Sequence, residues 1–176
     1  KILKFSKKKI IERFNGKITE HINYLKIDPY KRNKKLENKY RKNIKNIKGV
    51  IFLQDFFDAP HGYQWMLFTD FWEWATETIS FCIDNNLHVN LKPHPNQIPE
   101  NDDIIGQLKS ETASEFVHWL PKNVLNEQLF SLNPKVITTV YGSVTVEAAW
   151  NKIPVIVAGD FPGINFDFAN VAKSKR

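Results

Sequence analysis

The chain has 176 residues, 42% of them hydrophobic and 25% charged, with 7 Gly and 9 Pro; it can bury one substantial core and is neither disordered, collagen-like nor disulfide-stapled. Its net charge of +6 is unevenly spread: residues 1–48 carry 17 Lys/Arg against 4 Asp/Glu, residues 49–176 carry 8 against 15. A nucleic-acid protein shows its basic patch on the folded module, so this split argues against DNA or RNA as a partner.

The single cysteine, Cys82, cannot pair within the chain and has no second thiol to form a metal or redox motif. No run approaches 18 consecutive apolar residues, and the basic start at residues 1–9 has no apolar signal-peptide core behind it. The expected compartment is the cytoplasm.

Ile10, Ile11, Phe14, Ile18, Ile22 and Leu25 recur at spacings of three and four, the signature of an amphipathic helical arm. Asp28-Pro29-Tyr30 interrupts it, and the Lys/Asn-rich residues 31–48 read as a linker or solvated helix. Two readings fit this basic arm of residues 1–48. One is surface solvation with a compositional bias toward Lys, Asn and Ile; the other is peripheral attachment to an anionic inner-membrane surface or to a further domain.

From Gly49 the pattern changes. Residues 50–53 are a β-branched and aromatic run typical of a buried strand, and residues 65–83 read as a helix ending at Asp84-Asn85-Asn86. Strands follow at 88–92, 115–119, 135–140 and 154–158, alternating with helices at 102–110, 124–132 and 143–150. This alternation predicts an α/β, Rossmann-like parallel sheet with helices on both faces over residues 49–176, preceded by the helical arm. No helix that would close such a fold is readable in residues 169–176, so the domain is expected to be truncated at its C-terminus.

Ligands of open parallel sheets bind beyond the carboxyl ends of the strands, which directs attention to three loops. In the second, Lys92-Pro93-His94-Pro95-Asn96, two prolines stiffen a segment that presents a cation and an imidazole, groups suited to holding a phosphate and relieving its charge as it departs. In the third, Gly142 and Ser143 open a helix after an apolar strand, with Ser143 as N-cap. Backbone amides and the helix dipole would favour an anion there, and Glu147, one turn on, could accept hydrogen bonds from ribose hydroxyls. In the first, Asp55, Asp58 and His61 could serve acid–base chemistry, bind a metal, or simply form a turn. His21, His88 and His118 stand alone in a helix or strands and read as structural.

Together, residues 55–61, 92–96 and 142–156 resemble the C-terminal halves of bacterial capsule-polysaccharide glycosyltransferases, in order and spacing as well as wording. The resemblance spans roughly residues 49–165 and implies one half of a GT-B fold that binds a CMP- or UDP-type sugar donor. It implies that His94 contacts the donor phosphate and assists its departure, that Gly142, Ser143 and Thr145 bind the same phosphate, and that Glu147 holds the ribose. Lys92 would add charge, Asp55 would stand in as catalytic base, and Asp58 and His61 would face the acceptor or cleft. The implied partners are the nucleotide-sugar donor, a polysaccharide or glycolipid acceptor, and an N-terminal Rossmann domain that residues 1–48 cannot form. No cofactor or metal is implied: the chain contains no Asp-x-Asp triplet, and helix dipole, Lys and His could replace a metal in an inverting displacement.

Two rivals remain open at the level of sequence. One is a phosphotransferase moving a polyol or sugar phosphate from a CDP or UDP carrier; the other is a non-catalytic polysaccharide-assembly module. A dinucleotide-dependent oxidoreductase is disfavoured, because the loop after residues 50–53 lacks Gly-x-Gly-x-x-Gly.

Overall fold

The computed structural model describes residues 2–14, 48–60, 62 and 65–175. Of the basic arm it describes a helix, α1 (Ile2–Phe14), which begins eight residues before the first apolar position of the predicted stripe. Phe5 and Ile11 are exposed on it, Lys9 lies over the Phe5 ring, and Lys8 faces Glu12 one turn on. The rest of that stripe, Ile18, Ile22 and Leu25, and nearly all of the 31–48 segment lie outside the described residues.

The remaining elements, in chain order, are β1 (Gly49–Phe52), α2 (Phe71–Asp84), β2 (Val89–Lys92), α3 (Asn101–Glu111), β3 (Val117–Trp119), α4 (Asn126–Phe130), β4 (Val136–Thr139), α5 (Val144–Trp150), β5 (Val155–Val157) and β6 (Asn170–Val171). The six strands form one sheet in the order β3-β2-β1-β4-β5-β6, every pair parallel. This is the Rossmann-like α/β architecture that the alternating pattern predicts, and the order reverses between β1 and β4.

Side chains alternate across a strand, and β1 divides the core accordingly. Ile51 and Leu53 face one side, with Phe71, Trp74, Ile79, Leu91, Ile105 and Leu108, beneath α2 and α3. Val50 and Phe52 face the other, with Leu129, Phe130, Ile137, Ala148, Val155 and Val157, beneath α4 and α5. Two helices on each face follow from right-handed crossovers run first toward β3 and then toward β6. A central strand covered on both sides must be apolar throughout, as all four β1 residues are buried. Each fully buried large side chain here, such as Trp74 or Ile79, contributes about 1.5–3 kcal/mol. Cys82 is one of these core residues, and burial pushes its thiol pKa up.

Four elements differ from expectation by more than one residue. α2 starts at Phe71, not at residue 65, because the preceding residues pair instead with the end of β5: Met66 bridges Gly159 antiparallel, Leu67 N donates to Ala158 O, and Asp160 N to Trp65 O. Gly159 permits this approach, since a Cβ there would meet Trp65 O and Val140 at 3.1 Å. Asp70, extended, then caps the helix by accepting from Glu73 N at 2.8 Å. β3 starts at Val117, because Ser114 holds Phe116 and Val117 in a turn. α4 is only five residues long.

The fourth difference is at the end of the chain. β6 extends the sheet beyond the five predicted strands, reached through turns with Phe161 packed edge-on against Phe168. Lys175 then bonds Glu73 and lies over the Phe68 ring, fastening the last described residues to the start of α2.

Candidate site at the carboxyl edge of the sheet

Because all strands run parallel, the segments following β1, β2 and β4 emerge at one edge. β2 and β4 flank β1 and are therefore about 9.5 Å apart, and the strand order reverses between β1 and β4, where an open sheet leaves a crevice. Gln54 bridges the two strands at that point: its Nε2 donates to Thr139 Oγ1 and to Tyr141 O, each at 2.8 Å, and Tyr141 OH donates to Ala59 O at 2.8 Å. Here a glutamine replaces the glycine-rich turn of a dinucleotide fold.

The segment after β2 is a four-residue turn, His94-Pro95-Asn96-Gln97, closed by Gln97 N donating to His94 O at 3.4 Å. Proline at its second position presets the backbone. The ring is half-buried, but its Nδ1 has no exposed surface and no hydrogen-bond partner. Burial lowers the His94 pKa, as does nearby Lys92; Asp55 and Asp58 pull the other way. Burial and Lys92 thus favour the neutral imidazole, which stands in the field of one cation and two carboxylates.

Asp55 lies beneath this turn, with its carboxylate fully engaged. Oδ1 accepts from Phe57 N at 3.0 Å and from Asn101 Nδ2, and Oδ2 accepts from Ile98 N at 3.1 Å. Asn101, with no exposed surface, also accepts from Phe56 N at 2.8 Å. The loops after β1 and β2 are thus stapled together. This geometry makes Asp55 a brace for the site; the base role that the resemblance implies would require it to release its partners. Asp58 is exposed and within electrostatic reach of His94. His61 lies outside the described residues.

Lys92 does not face solvent. As the last residue of β2 it turns into the α4–α5 side of the sheet, only 2% exposed, with Nζ donating to Pro93 O and Lys122 O over 3.5 and 3.4 Å. Burial lowers its pKa to about 8, against the attraction of Glu147. It acts on its surroundings as an internal charge, not as a hand extended to a ligand.

After β4, Gly142 and Ser143 are exposed and Gly142 has φ +127, a conformation that L side chains rarely adopt. Ser143 occupies the N-cap position but is itself helical and makes no side-chain cap bond, unlike the cap that sequence predicts. Instead Thr145 closes the turn, its hydroxyl donating to Gly142 O at 2.7 Å. Thr145 has no exposed surface, which places it behind the backbone that a ligand would meet. Glu147 is also buried, 5% exposed, and accepts from Asn126 Nδ2 at 2.8 Å.

The edge therefore joins Asp55, Asp58, His94, Lys92 and Glu147 electrostatically and presents His94, Asp58, Gly142 and Ser143 outward. Gln97, Asn101 and Asn126 belong to it as well, and sequence pattern did not single them out. His88 and His118 stack with ring centroids 5.5 Å apart, His88 Nδ1 lying 3.3 Å from His118 Nε2, near the amino end of β2 and away from this edge. Among the described residues, no three His, Cys, Asp or Glu side chains assemble as metal ligands, and no helix is long and apolar enough to cross a membrane.

No protein-family model matches the chain, and no curated protein matches it in sequence. Similarity to solved structures is found instead. The UDP-GlcNAc 2-epimerase of Methanocaldococcus jannaschii, solved with UDP-GlcNAc and UDP, superposes with a TM-score of 0.55 at 12% identity, over 88% of this chain and 41% of that one. Alr3699/HepE of Anabaena, solved with UDP and glucose, gives a TM-score of 0.49 at 16% identity, over 84% of this chain and 41% of that one. The chain thus spans about two fifths of the length of either protein. At 12% identity the likeness to the epimerase is one of fold.

Proposed function

We propose that residues 49–176 are the donor-binding half of a glycosyltransferase of surface-polysaccharide synthesis, holding the phosphates of a nucleotide-activated sugar at the carboxyl edge between β2 and β4. One observation carries the reading: the proline-flanked His94 turn and the exposed, left-handed Gly142-Ser143 turn stand on either side of β1 at the reversal of strand order. The epimerase that shares this fold, with UDP-GlcNAc and UDP in its structure, supports a nucleotide sugar as ligand. The resemblance of the three loops to capsule glycosyltransferases supports transfer as the reaction.

In this proposal His94 takes up a proton from solvent as the donor phosphate binds, donates a hydrogen bond to that phosphate, and so stabilises the charge that develops on the departing nucleotide. Gly142 and Ser143 offer backbone that the phosphate can approach closely. Lys92 supplies positive potential from within, little screened by water. Asp55 positions the His94 turn, and Asp58 is the carboxylate left to face the acceptor. Glu147, held by Asn126, steadies α5 beneath the nucleotide.

Titration of the 15N-labelled chain with CMP and with UDP, read from backbone amide shifts, tests this. Shifts concentrated in residues 54–60, 93–98 and 141–147 are expected. Shifts at the opposite edge, around residues 86–88 and 133–135, or none at all, would remove the proposal.

A further inference from the structure

Two buried polar atoms in the His94 turn lack partners: His94 Nδ1 and Gln97 Oε1. They belong to the first and last residues of a single β-turn, closed by the Gln97 N to His94 O bond. Gln97 is 9% exposed, so neither atom is paired by bulk water. A buried acceptor without a donor costs about 1–3 kcal/mol, and two such atoms in one turn relieve each other if one carries a proton that the other accepts.

The amide end that faces inward is fixed by a third residue. Gln97 Nε2 donates to Asp102 Oδ1 at 2.8 Å, and Asp102 also faces Lys122 Nζ at 3.6 Å. A carboxylate only accepts, so the amide nitrogen must point to Asp102 and the oxygen away from it. Gln97 therefore offers an acceptor, and only an acceptor, on its free side. A neutral imidazole has one N–H, and a buried acceptor in the same turn, with no other donor, favours placing it on Nδ1.

We infer that Gln97 is a positioning residue that sets the tautomer of His94: Nδ1–H donates toward Gln97 Oε1 through one shared water, leaving Nε2 as the nitrogen that meets a ligand. The order of dependence is Lys122, Asp102, Gln97, His94, a relay that begins in the β3–α4 segment and ends at the imidazole. The assignment concerns the free protein and stands apart from the ligand. Its consequence, that Nε2 receives the proton and donates it toward a phosphate, rests on the proposed function.

Long-range 1H–15N correlation of the 15N-histidine-labelled full chain reads the tautomer of each ring directly, with a His94→Asn sample identifying the His94 signals. At a pH above the His94 titration, the wild type is expected to give the Nδ1–H pattern. Gln97→Met, which removes the acceptor, is expected to lose it in favour of Nε2–H. An Nε2–H pattern in the wild type overturns the inference even if Gln97→Met fails to fold, as does an unchanged Nδ1–H pattern in folded Gln97→Met. Nucleotide affinity does not enter this readout, so failure of the donor-site proposal and failure of the tautomer assignment are separable.

Discussion

Asn101 and Asp55 hold two loops in register: Asn101 donates through Nδ2 to Asp55 Oδ1 while its own Oδ1 accepts the amide of Phe56. Neither side chain reaches solvent to any extent. Asn101→Ala leaves a buried carboxylate oxygen and a backbone amide short of partners, which should cost about 1–3 kcal/mol in urea unfolding. Nucleotide affinity should fall with it, because the same staple positions the His94 turn; stability lost with affinity unchanged would separate the staple from the site.

Lys92 gives the domain a particular alkaline profile. Its pKa is lowered from 10.5 to about 8 in the folded protein, so between those values the unfolded chain binds more protons and stability should rise with pH. Below about pH 8 the full deficit is present, roughly 3 kcal/mol from the size of the shift. Urea unfolding from pH 7 to 10.5 should show this rise relative to Lys92→Met, which removes it. Parallel profiles for the two proteins would mean that the ammonium is better solvated than its burial indicates.

Gly142→Ala tests the left-handed turn. A Cβ there meets nothing within 4 Å, so the penalty arises from the backbone at φ +127 and not from a clash. A loss of about 1 kcal/mol or more is expected, together with weaker nucleotide binding.

Proton linkage should reveal His94. Its pKa lies below 6.5 in the free protein, and contact with a phosphate would raise it, so binding takes up a proton in that range. With UDP-GlcNAc, whose phosphates do not titrate near neutrality, affinity should increase as pH falls toward 6 in the wild type. In His94→Ala it should stay level. Calorimetry in buffers of different ionisation enthalpy measures the uptake directly.

The sheet was legible because period and punctuation agree. Asn85-Asn86 after α2, Pro93 after β2 and Pro154 before β5 bracket apolar runs too short for helices. The start of α2 was misread because Trp65, Met66 and Leu67 continue the apolar run of the helix although they pair with the end of β5. The signal was present in Asp70-x-x-Glu73, an N-cap written into the sequence. β6 spans two residues, fewer than any periodicity can register.

Within the site, sequence located the loops but not the direction of their side chains. Lys92, Thr145 and Glu147 stand in the expected segments and turn inward, because strand alternation and helix phase carry them to the α4–α5 side. Asn101 and Gln97 gave no pattern, since a polar residue near a helix start looks the same whether it caps, solvates or staples.

The central claim is that a nucleotide phosphate binds at His94. A thermal-shift screen of CMP, CDP, UDP and GDP against wild type and His94→Ala addresses it most directly. Ligand at a hundred times its Kd adds about 2.7 kcal/mol, roughly 5–10 °C for a chain of this size. The account predicts stabilisation of the wild type by one pyrimidine nucleotide and its loss in His94→Ala. An equal shift in both proteins, or no shift with any nucleotide, would contradict it.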